Sequence, residues 1–407
     1  MTQTKLWNRD FSLLITGQVV SIFGNMILSW ALPLYILYIS DSAALFGLVL
    51  AVPNISLLIM SPIGGIMADR LKKQRIMFWL DAITTVIIVA YMLISGLFAA
   101  VVPIVIVKLL ALNAIQGLYM PTVQAAIPAL SPPDKLVSAN AATTVVNSLS
   151  NLVAPAAAGI LFSQFGLFPI LVISAICFVI TSVMDLLIRI PFVKQPACTS
   201  IPQLVKSDLT QAARFAVKER PIMAKLAVVM LIFNITIAST LLVGMPVLIT
   251  QHLGMEMDMV GFSASFMMVG GLAGGILAGT LGKRITLSKL WIIMVLVSLA
   301  IAPIGAVLLL DLPYFVTYVV ITAASAVTLM IVQMFTIPVF AYIQKETPSE
   351  LIGKVMSVIM MMPFLANAVG QLIYGIFFEQ FAPWIVIVVS SILSAVIALL
   401  SRRHLKP

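Results

Sequence analysis

Long apolar runs alternate along this chain with short polar breaks. Twelve runs are present, at approximately 11–39, 44–68, 76–98, 101–128, 138–164, 168–190, 221–250, 259–282, 290–310, 314–343, 353–378 and 383–401. About 20 apolar residues wound as an α-helix match the hydrocarbon thickness of a bilayer. The pattern therefore predicts an all-α integral membrane protein with twelve transmembrane helices. The longest polar stretch, 191–220, divides them six and six: an N-terminal bundle over 1–190, a linker over 191–220, and a C-terminal bundle over 221–407.

The breaks alternate in charge. All but one of the 23 lysines and arginines fall in every second break, at the run ends beside it or at the chain ends, and Lys108 alone lies deeper inside an apolar run. The intervening breaks and the run ends beside them carry acids or prolines instead, such as Asp41, Pro103, Pro169 and Glu256 with Asp258. Basic loops stay on the cytoplasmic side, so both termini are expected there, in a bacterial cytoplasmic (inner) membrane. The first run is long enough to be a permanent span, and no cleaved signal peptide is expected.

Composition narrows the function. Sixty-two per cent of residues are hydrophobic and 9% charged, against about 25% charged in a soluble domain. The net charge of +9 would suggest nucleic acid in a soluble chain, but here topology accounts for it, and no nucleic acid is expected. Cys177 falls in a span and Cys198 in a reducing loop, which argues against a structural disulfide. Only His252 and His404 are present, both at membrane edges. No triad or metal-ligand spacing exists, so neither an enzyme nor a metal site is expected.

The two halves repeat. Gly64-Gly-Ile-Met-Ala-Asp-Arg-Leu-Lys-Lys73 after the second span returns as Gly274-Gly-Ile-Leu-Ala-Gly-Thr-Leu-Gly-Lys283 after the eighth, with six of ten positions identical. Pro133-Asp-Lys-Leu-Val is echoed by Pro348-Ser-Glu-Leu-Ile, each before the fifth helix of its half. Two parallel-repeat six-helix bundles are a transporter architecture.

Gly65-Ile-Met-Ala-Asp69-Arg70-Leu-Lys-Lys73-Gln-Arg75 resembles the signature loop between helices two and three of the major facilitator superfamily (MFS). Gly65 is expected to let helix two approach its neighbour closely, as small residues do in membranes. Asp69, at a helix end, can accept from basic groups or a helix N-terminus. The resemblance implies a cytoplasmic gate made by Gly65, Asp69, Arg70, Lys73 and Arg75 that locks one state of an alternating-access cycle. The plainer reading is a basic turn that fixes topology. Lys72 stands where the family usually has a second glycine, and the second copy has Gly279 in place of the aspartate, which implies an asymmetric lock.

Further motifs refine the branch. Asn113-Ala-Ile-Gln116-Gly117 is similar to the family's Arg-x-x-Gln-Gly element, with Asn113 in place of the arginine. Ser150-Asn-Leu-Val-Ala154-Pro155-Ala-Ala-Ala-Gly159 resembles, in weakened form, the Gly-Pro element of exporters. Trp7-Asn-Arg9-Asp-Phe11, Gly17-Gln18-Val-Val-Ser21 and Pro128-Ala-Leu-Ser-Pro-Pro-Asp-Lys-Leu136 with Ala139-Asn140 resemble the macrolide-efflux branch of the drug:proton antiporters. The last of these is shared with lysophospholipid transporters.

Polar stripes suggest where a substrate sits. Gln18, Ser21, Asn25 and Ser29 share a face of helix one, and Asn140, Thr144, Asn147 and Asn151 a face of helix five. Asn113 with Gln116, Asn234, and Gln333 with Thr336 lie on helices four, seven and ten. The resemblance implies that helices one, four, seven and ten line the central cavity. Gln18, Asn25, Ser29, Asn113, Gln116, Asn234 and Gln333 are thus the substrate-binding candidates. Amides in hydrocarbon need partners, and interhelical fastening is the competing reading.

Energy coupling has no obvious residue at mid-membrane. The candidates are Asp41, Asp81, Lys108 and Asp185. Asp81 follows the basic loop and fits its charge network. Asp185 and Arg189, spaced i to i+4, suit a helix-end ion pair. Lys108 is either a buried functional charge or a side chain that reaches the outer interface.

The sequence thus points to a secondary transporter that exports amphipathic or hydrophobic small molecules as a proton antiporter. No cofactor beyond the proton gradient is expected, and the protein is expected to be a monomer in the lipid bilayer. A lysophospholipid flippase or a siderophore-type exporter of the same superfamily is the alternative. A receptor or sensor, which would be expected to carry a sizeable soluble domain, is the reading from another class.

Overall fold

The computed structural model describes residues 6–94, 101–191, 210–211, 214–281, 289–310, 312–348 and 351–404. Most of the 191–220 linker, Cys198, and Lys283 with Arg284 of the second loop copy lie outside the described residues, as does the side chain of Asp69.

The described residues form helices and connecting turns, and twelve helices are long and apolar enough to cross a membrane. We number them α1 (Arg9–Ser40), α2 (Ala43–Arg70), α3 (Lys73–Ile94), α4 (Val101–Leu130), α5 (Leu136–Phe165), α6 (Leu167–Leu187), α7 (Pro221–His252), α8 (Met257–Leu281), α9 (Leu290–Val307), α10 (Tyr314–Glu346), α11 (Ile352–Gln380) and α12 (Pro383–His404). The chain is a multi-pass membrane protein. Several helices carry internal prolines, among them Pro33, Pro121, Pro155 and Pro338. Transmembrane helices tolerate these because neighbouring helices and hydroxyl side chains satisfy the freed backbone groups.

Short turns end the helices where the backbone must reverse. Gly166, at φ +71°, donates its N–H to Phe162 O at 2.9 Å and closes α5 before α6 begins. Only a residue without Cβ takes that conformation freely. Between α1 and α2, Asp41 stands at φ 49°, a left-handed conformation that Asp tolerates better than most residues.

The chain divides into two compact units. One comprises Met1–Tyr38 and Val52–Thr199, the other Ile39–Ala51 and Ser200–Pro407. The turn after α1 and the first part of α2 thus pack as part of the second unit.

In the first unit α3 packs chiefly on α6 and α4. Helix α3 shows why. Met77, Asp81, Thr84, Ile88 and Tyr91 are buried, whereas Trp79, Ile83, Val86 and Leu93 are exposed. Both sets recur at helical spacing. The exposed set is as apolar as the buried one, which suits hydrocarbon and not water. Near the start of α3 a core cluster joins Phe11, Met77, Leu80, Val123, Ile127 and Ile188 from α1, α3, α4 and the end of α6.

In the second unit α8 packs on α10, α9 on α12 and α10, and α7 on α11. Helix α7 is not uniform: Asn234–Ala238 and Leu248–His252 are wound as π-helix.

The repeated glycine pair is used identically in both units. A Cβ on Gly64 would stand 2.7 Å from Gly117 O and from Leu118 Cα, so α2 and α4 touch backbone to backbone. In the second copy a Cβ on Gly274 would collide with the carbonyl of Met330 on α10. At Gly65 nothing lies within 4 Å of such an atom, and at Gly275 only Ile337 Cδ1 does, at 3.8 Å. The close approach expected at Gly65 therefore falls one residue earlier, because one residue turns a helix by about 100°.

Candidate functional site

Of the seven substrate-binding candidates, Gln18 alone makes an interhelical side-chain bond among the described residues. It is buried, and its Nε2 donates to the Tyr119 hydroxyl on α4 at 3.0 Å. Ser21, one turn on, is hydrogen-bonded to the same hydroxyl. Gln18 is thus a fastener of α1 to α4. Asn113 and Asn234 turn back on their own helices, donating to Leu109 O at 3.0 Å and Met230 O at 2.9 Å. Asn140, Asn147 and Asn151 do the same on α5. Polar side chains in helices often take this i−4 route, and it leaves each amide oxygen available. Asn25, Ser29, Gln116 and Gln333 are half-buried.

Asn234 also opens the π-helical stretch of α7, and Ser394 on α12 donates to Thr236 Oγ1 within it at 3.2 Å. Single π turns concentrate at functional sites. The β-branched Ile-Thr-Ile after Asn234 is a weak sequence signal for it at best.

At the α2–α3 turn, Arg70 and Lys73 are half-buried and Arg75 is exposed. The turn closes by Arg75 N donating to Lys72 O at 2.9 Å.

The coupling candidates separate sharply. Asp41 is exposed, and its Oδ1 accepts from Gln251 Nε2 at 3.1 Å. Lys108 is 3% exposed, with Nζ 3.9 Å from the centroid of the Tyr91 ring and no hydrogen-bond partner among the described residues. It is thus buried in protein beside an α3 ring, whose aromatic face supplies attraction.

Asp81 and Asp185 are each 2% exposed. Asp81 accepts a hydrogen bond from Thr181 on α6, and Asp185 interacts electrostatically with Asp81. Among the described residues, one carboxylate oxygen of each has no hydrogen-bond partner. The ion pair expected between Asp185 and Arg189 does not form. Helix α6 ends at Leu187, so Arg189 leaves the helical path; it is exposed, and its backbone N–H donates to Asp10 Oδ1 at 3.1 Å. Nor does Asp81 join a charge network with the basic turn. It lies two turns into α3 and bonds Thr181 of α6. Sequence spacing could not find this relation, because only the packing of α3 on α6 brings residues 81 and 185 within electrostatic reach of each other.

Comparison with known proteins places this geometry. The chain is 24% identical over 377 residues, 92% of its length and 90% of the relative's, to macrolide efflux protein A of Streptococcus pyogenes. It is 25% identical over 315 residues to the protein of the same name from Enterococcus faecalis, covering 77% of this chain and 94% of that one. Among solved structures, the nucleoside transporter NupG superposes with TM-score 0.71 at 15% identity, over 97% of this chain and 98% of that one. A POT family transporter in complex with 5-aminolevulinic acid superposes with TM-score 0.75 at 13% identity, covering 100% and 99%. At such identities the structural likeness speaks for the fold alone. The sequence profile of the Major Facilitator Superfamily matches residues 14–371, and the chain belongs to that family of membrane transporters.

Proposed function

We propose that this protein exports amphipathic or hydrophobic small molecules of the macrolide type by alternating access, driven by inward proton flow. The observation that carries the reading is the likeness to macrolide efflux proteins along 92% of the chain. The half-buried amides at Asn25, Gln116, Asn234 and Gln333 support it. They offer hydrogen bonds without fixed charge, which suits ligands that are large, mostly apolar and dotted with hydroxyls and carbonyls. In this reading the basic loops and both termini face the cytoplasm. The Asp69 turn acts as the cytoplasmic gate, and the working unit is a monomer in a bacterial inner membrane.

The test is proton movement in everted membrane vesicles, followed with a pH-sensitive dye after respiration has built a gradient. Dye recovery on adding a macrolide, lost in an Asp69→Asn control, is the expected result. No recovery with macrolides, lipophilic cations or siderophore-like compounds, while labelled lysophospholipid still crosses, would replace the exporter with a flippase.

A further inference from the structure

The first unit contains two acids in a place where acids are costly. Asp81 on α3 and Asp185 on α6 are each 2% exposed, and among the described residues neither forms an ion pair with a lysine or arginine. Their burial comes from protein packing: Met77, Leu80, Thr84, Phe178 and Ser182 around them are themselves buried. From α3 the titratable group at this place is Asp81, from α6 Asp185 and from α4 Tyr119, which interacts electrostatically with both acids. Helix α1 contributes Gln18 and Ser21, which carry no charge and bond the Tyr119 hydroxyl. Thr181 supplies a hydrogen bond to Asp81, yet Asp81 Oδ2 and Asp185 Oδ2 have no hydrogen-bond partner among the described residues. Seven residues before Asp81, and so on the same side of α3, Gln74 Oε1 is a further buried acceptor with no partner. It lies toward the basic turn.

Two carboxylates sharing a site do not both ionise comfortably, and an uncompensated buried charge is strongly unfavourable. Among the described residues the arrangement lacks the basic partner that an ion-paired structural site would have. It has instead two vacant acceptor atoms, with hydroxyls beside them.

We propose that Asp81 and Asp185 form one proton-carrying site, holding a single exchangeable proton between α3 and α6, with Tyr119 and Gln18 linking that site to α1. Loading adds one proton from water to a carboxylate oxygen and gives a neutral acid beside one carboxylate. Release returns the proton to water and leaves two like charges between α3 and α6, which push these helices apart. Proton occupancy thereby acts on the packing of the first unit, and the Tyr119 hydroxyl carries the change to Gln18 and Ser21. The role in transport rests on the antiport reading above; the proton site itself does not.

Two measurements separate them. The first is infrared difference spectroscopy of the full-length protein in liposomes while pH is varied over the range in which the protein stays folded. A carboxylic acid C=O band that disappears on raising the pH is expected. It should be present in wild type and absent from the Asp81→Asn/Asp185→Asn double variant. Asparagine matches the shape of the protonated acid, and circular dichroism checks that the variants fold. No such band, a band unchanged in the double variant, or a band removed by sodium chloride at fixed pH would overturn the assignment.

The second is macrolide accumulation in everted vesicles. Each single variant should lose pH-gradient-driven accumulation by at least about tenfold, within the range of an ordinary coupling free energy, while equilibrating macrolide without a gradient as fast as wild type. Unchanged gradient-driven accumulation in both single variants overturns the coupling role and leaves the antiporter reading standing. A wild type that shows the infrared band but no gradient-driven transport would sink the antiporter reading and leave the proton site.

Discussion

Gly64 of α2 and Gly117 of α4 meet so closely that a Cβ on Gly64 would lie 2.7 Å from the Gly117 carbonyl oxygen, and one on Gly117 2.9 Å from Met60 Cβ. With no hydrophobic drive between helices in lipid, such backbone approach supplies the van der Waals packing that holds them. Gly64→Val should therefore destabilise the protein by about 1–3 kcal/mol through overpacking. Gly65→Ala, which meets nothing within 4 Å, should leave stability unchanged. Thermal unfolding in detergent distinguishes the two, and equal losses at both positions would refute the assignment.

The repeat makes the same forecast for the second unit. Gly274→Val should cost about as much as Gly64→Val, and Gly275→Ala should be silent, because the α8–α10 crossing copies the α2–α4 crossing. A Gly274→Val variant that unfolds like wild type would show that the sequence repeat is not a packing repeat.

The bond from Gln18 Nε2 to Tyr119 Oη is buried at 3.0 Å. A double-mutant cycle with Gln18→Leu and Tyr119→Phe should give a coupling of about 0.6 kcal/mol, and no more than about 1.7, as for other interhelical bonds in membranes. Additive losses would mean that the two side chains do not cooperate.

Lys108 is buried beside the Tyr91 ring, with no hydrogen-bond partner or ion pair among the described residues. Replacing a buried charge with a similar apolar side chain is often neutral or stabilising by about 1–4 kcal/mol. Lys108→Met should accordingly raise or preserve the unfolding temperature, whereas Lys108→Glu should lower it by presenting negative charge to the ring face. A marked loss of stability in Lys108→Met would reveal a partner that the packing does not supply.

At the start of α2, Ser42 Oγ accepts from Leu45 N at 3.2 Å, and Glu379 Oε2 accepts from Ser42 Oγ and Ala44 N, each at 3.1 Å. A carboxylate from α11 thus completes the cap of another helix. Glu379→Ala should weaken this end of α2 by about 0.3–1 kcal/mol, seen as faster amide hydrogen exchange at Ala44. Unaltered exchange there would show that Ser42 suffices. The Gly47–Gly375 approach beside it is tight as well, with a Cβ on Gly47 falling 2.9 Å from Gly375 Cα.

The apolar pattern alone located all twelve membrane-crossing helices, with α7 read as 221–250 against Pro221–His252 in the structure. That reading works because lipid forces each crossing to satisfy its backbone internally and to be apolar for its whole length. The glycine-rich repeat was legible for a related reason: close helix contacts in lipid demand small residues, which stand out in sequence. The chemistry was less legible. Polar stripes on α1 and α5 look alike in sequence, but Gln18 reaches Tyr119 across helices, whereas Asn147 and Asn151 bond their own backbone. Helical spacing gives a residue's face and not its partner. The spacing around Lys108 does not reveal its burial, and its neighbour, the Tyr91 ring, comes from another helix. The placement of Asp185 near Asp81 was the least accessible, since local spacing favoured Arg189, and the outcome turned on where α6 stops and how α3 packs against it. Sequence by itself determined the membrane crossings, the repeat and the family, all set by local composition. Tertiary structure decided which polar atoms meet, because those meetings depend on rotations and separations of helices that no single segment encodes.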